Sequence, residues 1–129
     1  MGLFDSVFGK RDETNKEVQK VPWIPLTSLD QLDEIVQESD SRPQLIFKHS
    51  TTCGISRMVL NMFTGTYNLG DDVDIYFLDL HQYRDVSNAV ESQLGLIHES
   101  PQLLVIKNGE ISFHASHGAI ADIDLKEYV

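Results

Sequence analysis

A buried strand that leads directly into a helix is predicted by residues 45–57, Leu45-Ile46-Phe47-Lys48-His49-Ser50-Thr51-Thr52-Cys53-Gly54-Ile55-Ser56-Arg57. The first three residues form the short apolar run that is typical of a buried strand. Apolar residues then recur at helical spacing from Ile55 to Phe63, so a helix is predicted to begin near Cys53. A second buried run, residues 73–78, follows the helix. A strand, helix and strand in this order predict a parallel crossover.

The sequence before this unit predicts an edge strand and a helix. Trp23-Ile24-Pro25-Leu26 suits an edge strand, because proline is tolerated there. Ser28 and Gln31 have the spacing of a capping box, and an amphipathic helix follows to about Ser39. Residues 1–20 combine a short apolar helical pattern with a charged, polar stretch. We therefore predict a short helix and flexible linker over 1–20, and one domain over 21–129.

The sequence after the unit completes a mixed sheet flanked by helices. A helix is predicted from about Asp85 to Leu94, and Gly95 ends it. An apolar strand over residues 102–106 is followed by Asn108-Gly109, a strong signal for a two-residue hairpin. The alternating residues beyond it predict an antiparallel strand. Asp122 is predicted to cap a short last helix.

Composition limits the class of protein. The net charge is −10, and there is no cluster of basic residues, so nucleic acid is not an expected partner. There is no apolar run long enough for a transmembrane segment. The single cysteine excludes a disulfide framework and indicates a reducing cytoplasm. A lone cysteine is often only a small buried apolar residue, so its surroundings must decide its role.

Those surroundings favour a reactive thiol at Cys53. Thr52 can cap the helix, which would place Cys53 in the first turn, where free N–H groups and the helix dipole stabilise a thiolate. Ser56 lies one turn on, where many redox proteins have a second cysteine, and an alcohol cannot resolve a mixed disulfide. Arg57, on the same face, can stabilise the thiolate or bind a carboxylate of a small thiol. For Ser56 and Arg57, ordinary surface or helix-terminal roles remain open.

A second predicted site element is Ser100-Pro101, just before a buried strand. In combination with a cysteine at a helix start, this proline suggests a cis peptide bond that faces the sulfur. The backbone of Ser100 would then be available to an extended substrate. His49, His98 and His117 could also surround the site, although structural roles are more usual for histidines. The histidines and the cysteine have no regular metal-ligand spacing, so no metal site is predicted.

Three motifs together resemble the YtxJ family, the monothiol, thioredoxin-like bacilliredoxins of the bacillithiol system. They are His49-Ser50-Thr51-Thr52-Cys53-Gly54-Ile55-Ser56, His98-Glu99-Ser100-Pro101-Gln102 and Ser116-His117. The resemblance covers about residues 22–129. It implies a thioredoxin-like fold and removal of bacillithiol from S-thiolated proteins, with no cofactor beyond the small thiol. Cys53 and Ser56 are the predicted catalytic residues, and the predicted substrate-binding residues are Thr52, Gly54, Arg57, Ser100, Pro101 and His117.

The sequence departs from the family pattern at two glycines. Proline is expected in place of Gly54, and an aromatic residue in place of Gly118. Gly54 is expected to loosen the first helical turn, and Gly118 puts the substrate groove near the last helix in doubt. Phe47 occupies the position of the buried aspartate of thioredoxin, so the proton relay that serves a resolving cysteine is missing. That absence fits a one-cysteine mechanism.

Two other functions remain open at this stage. Cys53-Gly54-Ile55-Ser56 differs by one residue from the Cys-Gly-Phe-Ser motif of monothiol glutaredoxins, which carry an iron–sulfur cluster between two chains with glutathione. The Gly-Gly pair that usually holds glutathione there has no counterpart after this hairpin. A non-catalytic adaptor that kept the fold is the other alternative. Glutathione and coenzyme A remain candidates beside bacillithiol as the small thiol.

Overall fold

The computed structural model describes residues 21–129. The helix and linker predicted over residues 1–20 lie outside the described residues. Within the described part of the chain, no helix is long and apolar enough to cross a membrane.

One five-stranded sheet organises the described residues. The strand order is β1-β3-β2-β4-β5, in which β1, β3 and β2 run parallel and β4 and β5 are antiparallel to their neighbours. This arrangement confirms the predicted parallel crossover, the edge strand and the hairpin. Asn108 and Gly109 both have positive φ, as the tight two-residue turn requires. The strands are β1 (Trp23–Pro25), β2 (Gln44–His49), β3 (Asp74–Asp79), β4 (Gln102–Lys107) and β5 (Glu110–Ser116).

Among residues 21–129, three α-helices flank the sheet, and their ends follow the sequence signals. Helix α1 (Leu29–Glu38) begins with the predicted capping box, in which the Ser28 hydroxyl accepts from the Gln31 N–H. Helix α2 (Gly54–Thr66) follows β2. Helix α3 (Arg84–Leu94) ends at Gly95, whose left-handed φ of 68° suits glycine.

Alternation along the central strands divides the core into two layers. Phe47 on β2 and Leu103 on β4 belong to the layer that packs against α2. Ile46 and Leu104, their neighbours in sequence, belong to the layer that packs against α1 and α3. Because successive side chains of a strand point to opposite faces, Lys48 shares the α3 face and His49 shares the α2 face.

The end of the chain differs from the prediction of one short helix capped by Asp122. Two 3₁₀ turns are present instead, His117–Asp122 and Leu125–Glu127. The Asp124 carboxylate, and not that of Asp122, accepts from the Lys126 N–H and caps the second turn. Ile120 and Leu125 are buried against the α2 face, so packing holds these turns although they are too short for an α-helix.

Candidate functional site

Cys53 lies between the carboxyl end of β2 and the start of α2. It is the N-cap residue of α2, with extended backbone angles of φ −103° and ψ 121°. A turn from Ser50 precedes it, in which the Cys53 N–H donates to the Ser50 carbonyl at 3.3 Å. The thiol is free and partly exposed. The sulfur therefore lies at the end of the helix where unpaired N–H groups are concentrated.

The surroundings of Cys53 lower the pKa of its thiol. The largest cause is the backbone N–H of Ser56, although the Cys53 side chain closes no N-cap hydrogen bond. Partial burial opposes this effect, while the Ile55 N–H, the Ser56 hydroxyl and the positive charge of Arg57 add to it. A thiolate is the attacking form in disulfide exchange, so the arrangement favours a nucleophile.

The predicted role of Thr52 as the helix cap is wrong. Cys53 itself occupies the cap position, because the Ser50 turn carries the chain one residue further before α2 begins. The Thr52 hydroxyl lies 3.1 Å from Nε2 of His81. The hydroxyl of Ser50 lies 2.7 Å from the same nitrogen. His81 follows β3, so this cluster connects the loop before Cys53 to the neighbouring strand.

Ser56 and the Ser100–Pro101 segment meet beside this turn. The Ser56 side chain is fully buried, and its hydroxyl lies 3.4 Å from the hydroxyl of Ser100. The Ser100–Pro101 peptide bond is cis. Among residues 21–129, no other backbone group pairs with the backbone of Ser100. The Ser56 hydroxyl thus contacts Ser100, while the Ser56 N–H faces Cys53.

His117 joins the site through its backbone. Its N–H donates to the Pro101 carbonyl at 3.0 Å, and its φ of 56° marks the abrupt change from β5 to the first 3₁₀ turn. The His117 side chain and Gly118 are exposed. Gly54, the first residue of α2, is also exposed and has open space around the position that a Cβ would take.

His49 is a buried titratable group next to the site. Its ring is 5.3 Å from that of Phe77, and its Nδ1 is buried without a hydrogen-bond partner. Burial is the main cause of its lowered pKa; Asp79 raises this pKa, and Arg57 lowers it. His49 is therefore neutral at pH 7 and adds no positive charge next to Cys53.

The sequence assigned no role to several polar residues that hold the site together. His81, Lys48 and Gln102 each connect segments that are far apart along the chain. The one available signal was position, since His81 and Ser50 both follow parallel strands whose carboxyl ends meet at one edge. Within residues 21–129, no three His, Cys, Asp or Glu side chains form a group suited to a metal ion.

Comparison with known proteins agrees with this geometry. The family described as monothiol bacilliredoxin BrxC matches residues 24–125. A solved thioredoxin-fold structure, for which its description proposes oxidoreductase activity, is 32% identical to this chain. The aligned region covers 82% of this chain and 92% of that protein's chain, with a TM-score of 0.70.

More distant structures share the fold alone. Thioredoxin from Malassezia sympodialis is 18% identical over 81% of this chain and 88% of its own, with a TM-score of 0.64. Thioredoxin O2 from Arabidopsis thaliana, in its oxidised state, is 17% identical over 83% of this chain and 95% of its own, with a TM-score of 0.65.

Proposed function

This chain belongs to the monothiol bacilliredoxin family and is a thiol-disulfide oxidoreductase, and from that premise we propose that it removes bacillithiol from S-thiolated proteins in the cytoplasm. The observation that carries the proposal is a lone cysteine at a helix N-cap, with a lowered thiol pKa and a serine at the resolving position. Cys53 is therefore a nucleophile, and the chain has no second thiol that could resolve a mixed disulfide on it.

The first step is an exchange at Cys53. Its thiolate attacks the bacillithiol sulfur of the client's mixed disulfide, forming a bond from Sγ to that sulfur. The bond between bacillithiol and the client cysteine breaks, and the client leaves as a thiolate that takes a proton from water. One disulfide is exchanged for another, so no external oxidant or reductant is needed.

The second step requires a thiol from outside the chain. Ser56 cannot attack the Cys53–bacillithiol disulfide, so a second small thiolate must do so. That attack forms the oxidised small-thiol disulfide and returns Cys53 as a thiolate. Because Ser56 is fully buried, it serves the reaction through its N–H and hydroxyl, which lower the Cys53 thiol pKa.

The Ser100–Pro101 segment suits a polypeptide substrate. The unpaired backbone of Ser100 can bond to an extended client segment, as in strand addition to a sheet edge. Arg57 is exposed and lies one turn beyond Cys53, where its guanidinium can bind a carboxylate of the small thiol. Gly54, which follows Cys53, and His117, whose N–H donates to the Pro101 carbonyl, are both exposed.

A transfer assay with purified components tests the proposal. A model protein that carries bacillithiol on one cysteine is mixed with the reduced chain, and the masses of both proteins are followed with time. We expect the small thiol to leave the client and appear on Cys53, and Cys53→Ala to abolish the transfer. The same client carrying glutathione or coenzyme A measures selectivity for the small thiol.

Two outcomes oppose the proposal. If Cys53 has an unshifted pKa and takes no thiol from any client, the chain is a non-catalytic adaptor. If anaerobic reconstitution with iron, sulfide and a small thiol gives a brown protein whose colour depends on Cys53, the chain binds an iron–sulfur cluster. Cluster binding, and not thiol exchange, is then its function.

A further inference from the structure

A lysine is fully buried on the side of the sheet away from Cys53. Lys48 lies on β2 with 0% of its surface exposed. Lysine is almost never fully buried without a partner, because removing an ammonium from water costs several kcal/mol. Burial lowers the pKa of Lys48 to about 8, and the carboxylate of Glu91 on α3 opposes this effect. The side chain is therefore mainly an ammonium at pH 7.

The partner of this ammonium is His98. The Lys48 Nζ lies 3.1 Å from Nδ1 of His98. An ammonium can only donate, so Nδ1 must accept and the ring must be neutral with its proton on Nε2. Burial, followed by the charge of Lys48, lowers the pKa of His98, in agreement with a neutral ring. The Ser87 hydroxyl, 3.5 Å from the same nitrogen, borders the pair on the α3 side.

A second buried side chain holds the same segment. Gln102 on β4 is 1% exposed, and its Nε2 donates to the Ile97 carbonyl at 3.1 Å. Lys48 and Gln102 are register partners on adjacent strands, so their side chains leave the sheet side by side. Together they bind consecutive residues, Ile97 and His98, just before Ser100.

The connection runs between the two parts of the exchange site. Lys48 is on β2, the strand that precedes Cys53, and His98 is two residues before Ser100. Ile97 is 80% exposed, so apolar packing of its side chain does not fix the segment. A buried charge costs stability that an apolar residue would not, which makes a purely stabilising role a poor explanation.

We propose that Lys48 and His98 are positioning residues, which fix the Ser100–Pro101 segment relative to Cys53 so that a polypeptide disulfide can align for exchange. The proposal rests on the proposed function and deepens it. Small reagents need only the sulfur, whereas a client protein needs the sulfur and the Ser100 backbone. Loss of the pair therefore impairs transfer from a protein and spares reaction with a small reagent.

Four variants separate this role from a structural one. Lys48→Met keeps the approximate volume and removes the donor, and His98→Leu removes the acceptor. His98→Asn keeps an acceptor near the position of Nδ1 and is the conservative rescue. Gln44→Met is the matched control, because Gln44 is a buried polar residue on the same strand and face but at the far end.

Three measurements are made on each folded variant. They are kcat/KM for thiol transfer from the S-thiolated client, the iodoacetamide rate of Cys53 against pH, and hydrogen exchange of peptides that cover residues 97–102. We expect Lys48→Met and His98→Leu to lower kcat/KM about tenfold or more. Their iodoacetamide profiles should stay within about twofold of the original, and exchange in residues 97–102 should accelerate. His98→Asn and Gln44→Met should resemble the original protein.

Each contrary result has a distinct meaning. Unchanged transfer and unchanged hydrogen exchange in Lys48→Met would overturn the proposal. An equal fall in iodoacetamide rate and transfer would also overturn it, because the pair would then act on the sulfur itself. If the original protein transfers no thiol, the proposed function fails, and the hydrogen exchange of residues 97–102 still decides whether the pair orders this segment.

Discussion

Replacement of the buried Lys48 by methionine is expected to stabilise the protein at pH 7. The pKa of Lys48 falls from 10.5 to about 8 on burial. At about 1.4 kcal/mol for each pKa unit, this difference means that the folded state holds the ammonium at a cost of about 3 kcal/mol. Methionine removes that cost but leaves Nδ1 of His98 without its charged donor, which costs about 1–2 kcal/mol. The expected net gain in unfolding free energy is about 1–2 kcal/mol.

The sign of the pH dependence provides the sharper test. Between pH 8 and pH 10.5 the unfolded chain binds more protons at this lysine than the folded chain, so stability of the original protein rises with pH. At about pH 9.3, about half of the cost, or about 1.7 kcal/mol, has been relieved. The advantage of Lys48→Met should therefore disappear near that pH.

Urea unfolding of both proteins at pH 7 and at about pH 9.3 measures this difference directly. Titrating groups distant from Lys48 are common to both proteins and cancel in the comparison. The pKa of His98 depends on the charge of Lys48, but burial also lowers it, so the ring is neutral at both pH values. A variant that is less stable at pH 7, with the same pH dependence as the original, would refute the reasoning that Lys48 is a buried, costly charge.

Three further variants test the site. Ser56→Ala should raise the Cys53 thiol pKa, seen as an iodoacetamide inflection at higher pH, because the hydroxyl is lost while the main N–H donor remains; an unmoved inflection would contradict this. Gly54→Pro should raise unfolding free energy by about 0.5–1 kcal/mol, since the position is the first of α2 and Cys53 already has extended angles; a loss of stability would contradict the assigned helix start. His49→Phe should lose less unfolding free energy than the original protein as the pH falls below about 6.5. The reason is that burial lowers the pKa of His49 in the folded state, so protonation favours the unfolded chain. Equal losses of unfolding free energy in the two proteins over this pH range would exclude this.

Local sequence signals predicted most of the fold because each acts within a few residues. The apolar run around Phe47 and the second run at 73–78 form β2 and β3 at the core. The Ser28 capping box, the Asn108-Gly109 turn and the Gly95 helix end each depend on a local backbone requirement, and each is present in the structure.

The errors occurred where distant contacts decide the local structure. Thr52 has the chemistry of a cap, but its hydroxyl contacts His81, and Cys53 takes the cap position instead. The predicted last helix is divided into two 3₁₀ turns, and no periodicity could locate the division.

The contact between Lys48 and His98 could not be predicted from the sequence for the same reason. Lys48 and His98 are 50 residues apart along the chain. A lysine within an apolar run gives no sign of its partner until the sheet brings β2 beside the segment that precedes β4. The cysteine could be found from its neighbours, whereas the side chains that hold its surroundings could not.

The intact mass of the protein after thiol trapping shows whether Cys53 takes up bacillithiol in the cell. The protein is purified from cells of its host that have been exposed to a disulfide-forming oxidant, with free thiols blocked at lysis, and its intact mass is measured. We expect a species in which one bacillithiol is bound to Cys53, released by reductant and absent from Cys53→Ala. If Cys53 is found only with the blocking reagent, while client proteins in the same cells retain bacillithiol, this chain does not remove bacillithiol from proteins.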